Sequence, residues 1–403
     1  MSSPAIIPSS KPANQREELL ILGFIGIPQI LAALLLVAFL AQCAWFIVHV
    51  PMSQVEANYI LQGLGHLQGL DTASDEWRSP LTALAAALPV APLLRGQNLL
   101  AVDPFWLDQH RWFVRAPFLL VGLLLGASVW YVARRMFGNQ GGYLALGIYC
   151  FSPGIVARSS LAGPEILGAW GAFGIIFTAI ATAHTLYAPR EVILWNWKRI
   201  VLLGVSIALA VGAQWVLAWV LVPALLFMLW AVPHRRRAAF AILASASAIA
   251  ALLLALTYGA HPGRFLHGLA TARWMGVSLD AMHWKLAPLV LDFYAHASPA
   301  TGLLFLVALG TYAAWRRSRF FGNTAPLIVA LTLLAGGILM SENVGALCLF
   351  YALPFLLVFA AGVFADLFET RNPGGAVGIG YGLLLAQCVY SVVGLMRVFS
   401  RGM

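Results

Sequence analysis

The stretch "LLILGFIGIPQILAALLLVAFLAQCAWFIVHV", residues 19–50, decides the class of fold. It contains no Asp, Glu, Lys or Arg. A helix needs about 20 apolar residues to cross a bilayer, so this run is long enough to span. A signal peptide has a shorter apolar core, about 7–15 residues, with a small-residue cleavage site behind it. The run fits neither condition and reads as a retained membrane helix. Residues 1–18, polar and rich in Pro and Ser, read as a disordered cytoplasmic tail, and residues 19–403 as one integral-membrane domain.

The rest of the chain continues the pattern. Apolar residues make up 61% and charged residues 10%, with a mean hydropathy of +0.85; soluble domains carry about 25% charged residues. Further apolar runs lie near 116–133, 142–157, 165–187, 199–213, 214–232, 238–259, 299–315, 324–340, 345–365 and 376–396. The expected fold is all-α, a polytopic membrane helical bundle of about 11 transmembrane helices. The pair between 199 and 232 requires a break near Gly212 and Gln214.

Charge gives this bundle an orientation. With the N-terminus in the cytoplasm, the short cytoplasmic segments hold Lys11, Arg16, Arg134, Arg135, Arg190, Lys198, Arg199, Arg235, Arg236, Arg237, Arg316, Arg317, Arg319 and Arg371. That is 14 of the 24 basic residues, as the positive-inside rule requires. The opposite side receives 10 of the 15 acids, including Glu56, Asp75, Glu76 and Glu165. The expected location is the plasma (inner) membrane. Two long non-cytoplasmic loops follow, 51–115 and 259–298, each with interfacial helix-like pieces such as "SPLTALAAALPVAPLL".

Other classes fall away. The net charge of +9 comes from clusters between apolar runs and not from one basic face, so no nucleic acid is expected. The four cysteines sit in separate apolar runs and read as buried hydrophobes. No His pair has helical metal-site spacing beside an acid, so no metal is expected. No Gly-rich phosphate loop, nucleophile elbow or cofactor fingerprint is present.

Several landmarks together resemble a known family. They are a long outer loop opening on an acid in "QVEANY", an internal "PLTALAAALP", an acid at the outer start of the fourth span after a Ser-Pro helix end in "FSPGIVARSSLAGPEILGAW", and a late "YALPFLLVFAAG". The chain is thereby similar to the GT-C superfamily, closest to its protein mannosyltransferase and lipid A aminoarabinose transferase branch. The resemblance covers residues 20–365. It differs at four landmarks: Val55 stands where the branch has Asp, Arg78 and Ser79 replace the His and first Pro of one motif, Glu165 stands for the Asp of the fourth span, and Gln214 replaces a Lys.

The resemblance implies a glycosyltransferase that moves a sugar from a polyprenyl-phosphate donor to a hydroxyl at the non-cytoplasmic face. The co-substrate is the lipid-linked donor, without further cofactor. The partners are that donor, membrane lipid and an acceptor glycan, lipid or protein.

Such a transfer needs a base for the acceptor proton and donors for the leaving phosphate. The topology puts Glu56 and Glu165 at the outer mouth, as catalytic candidates. Asp75, Glu76, Arg78, Arg158, Arg264, His267, Arg273 and Lys285 are the substrate-binding candidates. Arg273 leads among the cations, because a planar guanidinium pairs with phosphate oxygens and stays charged.

Two other readings stand beside this one. A catalytically silent scaffold or binding subunit would account for Val55 and Arg78. A transporter or lipid flippase would place its charges within helices near the midplane, whereas here the acids lie at helix ends and in loops.

Overall fold

The computed structural model describes residues 26–68, 80–94, 104–186, 197–231, 233–259, 298–314, 320–339, 342–369 and 374–401, with the single positions 263 and 266. The elements are α1 (Ile27–His49), α2 (Gln54–Leu67), α3 (Pro80–Ala87), α4 (Pro104–Gln109), α5 (Arg111–Cys150), α6 (Pro153–Ser159), α7 (Pro164–Thr185) and α8 (Trp197–Ala213). A 3-10 segment, Trp215–Val220, leads into α9 (Leu221–Ala231). There follow α10 (Arg236–Thr257), α11 (Pro299–Ala314), α12 (Phe320–Leu339), α13 (Glu342–Phe368) and α14 (Gly374–Arg401).

The chain is an all-α polytopic membrane protein. Six segments are individually long and apolar enough to cross a bilayer: α1, α5, α7, α10, Leu347–Phe368 of α13 and Gly378–Met396 of α14. Trp215–Ala231, Pro299–Ala314 and Asn323–Gly337 are shorter apolar helical segments. Large apolar side chains point outward along these helices, among them Leu34, Leu226, Leu306 and Leu385. In water they would be a liability; in lipid they face their natural solvent.

Glycines shape two of the turns and packings. At Gly138 the backbone takes φ 79°, and the single helix α5 becomes two legs. The legs fold back on each other: Tyr149 Oη donates to the Gly122 carbonyl at 2.6 Å, and a Cβ on Gly142 would fall 2.9 Å from Arg134 Cβ. This hairpin accounts for the two runs predicted near 116–133 and 142–157. On α7, a Cβ at Gly171 would sit 2.3 Å from Ala210 N, so α7 and α8 approach backbone to backbone. Small residues at membrane helix contacts allow this closeness.

The break expected near Gln214 is present. Gln214 is extended at φ −153° and ψ 126°, ending α8. Gly171 and Gly174 face Ala210 and Ser206, and Gly168 faces Leu217. The chain therefore climbs α8 antiparallel to α7, turns at Gln214 and returns beside α7 as α9.

The centre of the bundle is α13, whose membrane segment is 89% buried. A polar network ties α14 to the rest. Gln387 Oε1 accepts from Ser298 Oγ and Thr301 Oγ1, Gln387 Nε2 donates to the Phe151 carbonyl, and Ser391 Oγ donates to Gln42 Oε1. Hydrogen bonds among such side chains hold helices together where apolar contact alone gives little preference over lipid.

Candidate active site

One end of the bundle gathers α2, the end of α1, the start of α5 and the turn into α7. Helix α2 was not expected from apolar periodicity; "SQVE" carries its signal as a capping box. Ser53 Oγ accepts from Glu56 N at 3.3 Å, and Ser53 N donates to Glu56 Oε2 at 2.9 Å.

Arg115 lies on α5 across from this cap. Its Nε donates to Glu56 Oε1 at 2.9 Å and its Nη2 to Glu56 Oε2 at 2.8 Å. The remaining donors go to the carbonyls at the end of α1: Nη1 to Val50 and Ile47, Nη2 to Pro51. Ala162 N completes the set with a 2.9 Å bond to Glu56 Oε1.

Both partners are thus saturated. The guanidinium has five N–H donors and the carboxylate about four lone-pair sites, and all of these are used. Glu56 is 2% exposed and Arg115 0%. Burial alone would push the Glu56 carboxyl up, but the Arg115 hydrogen bonds and charge, with the Ala162 and Ser53 N–H groups, outweigh it and hold the carboxyl below its ordinary value. Glu56, expected at the outer mouth as a catalytic candidate, is sealed under packed groups. Its neighbour Val55 is 62% exposed.

Glu165 also pairs with an arginine but is less enclosed. It stands in the first turn of α7, after Gly163 and Pro164. Arg158, from the last turn of α6, donates to its Oε1 at 2.5 Å, and that arginine is about half exposed. Oε2 accepts no hydrogen bond from the described residues. A Cβ on Gly163 would fall 2.2 Å from Oε2, so only glycine leaves room for the carboxylate to fold back over the helix start.

Tyr351 on α13 completes the cluster. It is fully buried, and its hydroxyl has no hydrogen-bond partner among the described residues. Its ring lies against α7 one turn below Glu165, 2.9 Å from where a Cβ on Gly168 would stand. Glu165, Arg158 and Tyr59 are all within electrostatic reach of its oxygen.

The two acids are linked through the backbone, because Ala162, bonded to Glu56, is three residues before Glu165. Of the expected site residues, the structure brings together Glu56, Arg158 and Glu165. Asp75, Glu76, Arg78, Arg264, His267, Arg273 and Lys285 lie outside the described residues. Two residues escaped the sequence reading. Arg115 ends the first outer loop in the sequence reading, although a charge that heads an apolar run needs a partner. Tyr351 sat inside "YALPFLLVFAAG" and passed as an apolar aromatic.

Fold and site together define a multi-pass membrane protein with a polar cluster at one end of its helices. The sequence model of the family described as dolichyl-phosphate-mannose-protein mannosyltransferase matches residues 106–258. No curated protein sequence matches the chain. Among solved structures, the apo oligosaccharyltransferase of Archaeoglobus fulgidus superposes with a TM-score of 0.57 at 13% identity, covering 93% of this chain. This chain spans 56% of that enzyme's length. ArnT from Cupriavidus metallidurans, bound to undecaprenyl phosphate, superposes with a TM-score of 0.50 at 14% identity, covering 93% of this chain and 74% of ArnT. The resemblance read from the landmarks is matched: the chain has the fold of the GT-C membrane glycosyltransferases.

Proposed function

We propose that this protein is a glycosyltransferase that moves a sugar from a polyprenyl-phosphate donor to a hydroxyl acceptor at the non-cytoplasmic membrane face. The observation that carries the reading is the Glu165 carboxylate, with Oε1 on Arg158, beside the Tyr351 hydroxyl, neither Glu165 Oε2 nor that hydroxyl having a hydrogen-bond partner among the described residues. The family match and the ArnT likeness support it.

Glu165 Oε2 takes the acceptor's proton as the acceptor oxygen bonds to the sugar's anomeric carbon. The bond from that carbon to the phosphate oxygen breaks, and the polyprenyl phosphate leaves with the electron pair. Arg158, about half exposed, offers charge to the leaving oxygen, and the buried Tyr351 hydroxyl lies beside that pair as a further donor. Glu56, with no lone pair free, positions the turn at Ala162 that presents Glu165.

The test is sugar transfer from an undecaprenyl-phosphate sugar by the purified protein in lipid nanodiscs. A general base contributes about 10²–10⁴-fold, so Glu165→Gln should lose that much of kcat. Undiminished turnover in Glu165→Gln overturns the assignment of the base. The exposed Val55, where the resembling branch has an acid, favours a second reading as a silent binding subunit. Absence of transfer from every lipid-linked donor offered, with the lipid still bound, selects that reading.

A further inference from the structure

Away from the Glu165 cluster, α7, α9 and α12 enclose an apolar cavity of about 580 Å³. Ligand sites commonly measure about 300–1,000 Å³. Its walls include Ile176 and Ile180 from α7, Leu226 and Trp230 from α9, and Ala325 and Ile328 from α12. Leu226, Trp230 and Ile328 are exposed at its rim, 62%, 69% and 53% respectively. Among the described residues that line it, the hydroxyls are already bonded, Thr324 with Tyr312 Oη at 2.6 Å and Thr332 to the Ile328 carbonyl at 2.8 Å. Nothing in it asks for a polar guest.

Depth locates the cavity. At about 1.5 Å per residue, Ile176 and Ile180 lie roughly 16 and 22 Å along α7 from Glu165, beyond the middle of a hydrocarbon core about 30 Å thick. The cavity therefore opens to the leaflet opposite the proposed site. Trp230 closes it one residue before α9 ends, an interfacial position for an amphipathic ring. Four residues further on come His234, Arg235, Arg236 and Arg237, all exposed.

The other charges at this end leave it basic. Lys198 is exposed, and Arg199 donates to the Ala181 carbonyl. The acids described here are Asp366, buried and accepting from Asn323 Nδ2 at 3.0 Å, and Glu369 at the end of α13.

We infer that the cavity and this basic cluster form a binding site for an anionic phospholipid of that leaflet, with an acyl chain in the cavity and the phosphate against Arg236 and Arg237. By the positive-inside rule this is the cytoplasmic leaflet, the one that carries anionic lipid. A neutral phospholipid would fill the same cavity but gain nothing from the arginines. The inference is independent of the glycosyltransferase reading.

Native mass spectrometry of the intact protein tests it, with phosphatidylglycerol and phosphatidylcholine of identical chains as probes. Each arginine near a lipid surface is worth about 1 kcal/mol, or about fivefold in affinity. Phosphatidylglycerol should be retained over phosphatidylcholine by about that factor per arginine, and Arg236→Gln with Arg237→Gln should abolish the preference while leaving phosphatidylcholine retention unchanged. Ala325→Trp, which fills the cavity, should reduce retention of both lipids, whereas Leu331→Trp on the exposed side of α12 should not. Equal retention of the two lipids by the native chain overturns the proposal. So does preferential capture of undecaprenyl phosphate in a manner abolished by Ala325→Trp, which would give the cavity to a prenyl tail. If the tryptophan variant fails to fold, the arginine pair still decides.

Discussion

Glu56 and Arg115 meet through two parallel hydrogen bonds, 2.9 and 2.8 Å long, with neither side chain exposed. The pair joins three pieces of chain: the cap of α2, the end of α1 and the turn before α7. Removing one partner of a buried pair leaves the other charge uncompensated, at a cost of about 3–5 kcal/mol. Glu56→Ala and Arg115→Ala should each lower the unfolding midpoint in detergent strongly. Arg115→Lys should rescue little, because an ammonium cannot reproduce the planar fork or supply five donors. A near-native midpoint for Arg115→Lys would show that the carbonyl contacts of α1 carry no weight.

The same pair sets a dependence on pH. The Glu56 carboxyl is held below its ordinary value of about 4.5. A depressed folded-state value means that the contribution to stability is present above the unfolded value and is lost as pH falls through the folded one. The midpoint difference between native protein and Glu56→Gln should be level from pH 7 to pH 6 and shrink below about pH 4.5. A difference that instead shrinks on raising the pH would contradict the assignment.

The membrane-helix character of the chain was legible because such helices announce themselves locally, through apolar length. The Gln214 break was legible for the same reason: 33 or so apolar residues cannot make one helix across about 30 Å. What escaped were relationships across the chain. Glu56 could be placed at the outer end but not paired, since its partner Arg115 is 59 positions away. The sequence made both acids look alike. Only the fold separates them, one saturated under four donors and the other with an oxygen that no described residue bonds.

Gly163 offers a way to move the Glu165 carboxylate without deleting it. Its backbone is extended, φ −141°, so a side chain is not excluded by conformation. The obstacle is Glu165 Oε2, 2.2 Å from the place of a Cβ. Gly163→Val should swing the carboxylate out of line and cut kcat by about 10²-fold, as small misplacements of catalytic groups do. The unfolding midpoint should fall less than in Glu56→Ala, because the Glu56–Arg115 hydrogen bonds stay in place. Activity within twofold of native would mean that Oε2 is not the reacting oxygen.

Tyr351 separates a structural from a functional hydroxyl. A buried O–H with no partner costs about 1–3 kcal/mol, so a side chain kept only for packing would do better as Phe. Tyr351→Phe should therefore raise the unfolding midpoint of the lipid-free protein by the equivalent of about 1 kcal/mol while lowering kcat/KM by about 10-fold or more. The loss should fall mainly on kcat if the hydroxyl meets charge that develops on the leaving phosphate. A variant both more stable and fully active would make Tyr351 a packing residue and would leave Arg158 as the sole described group facing the phosphate.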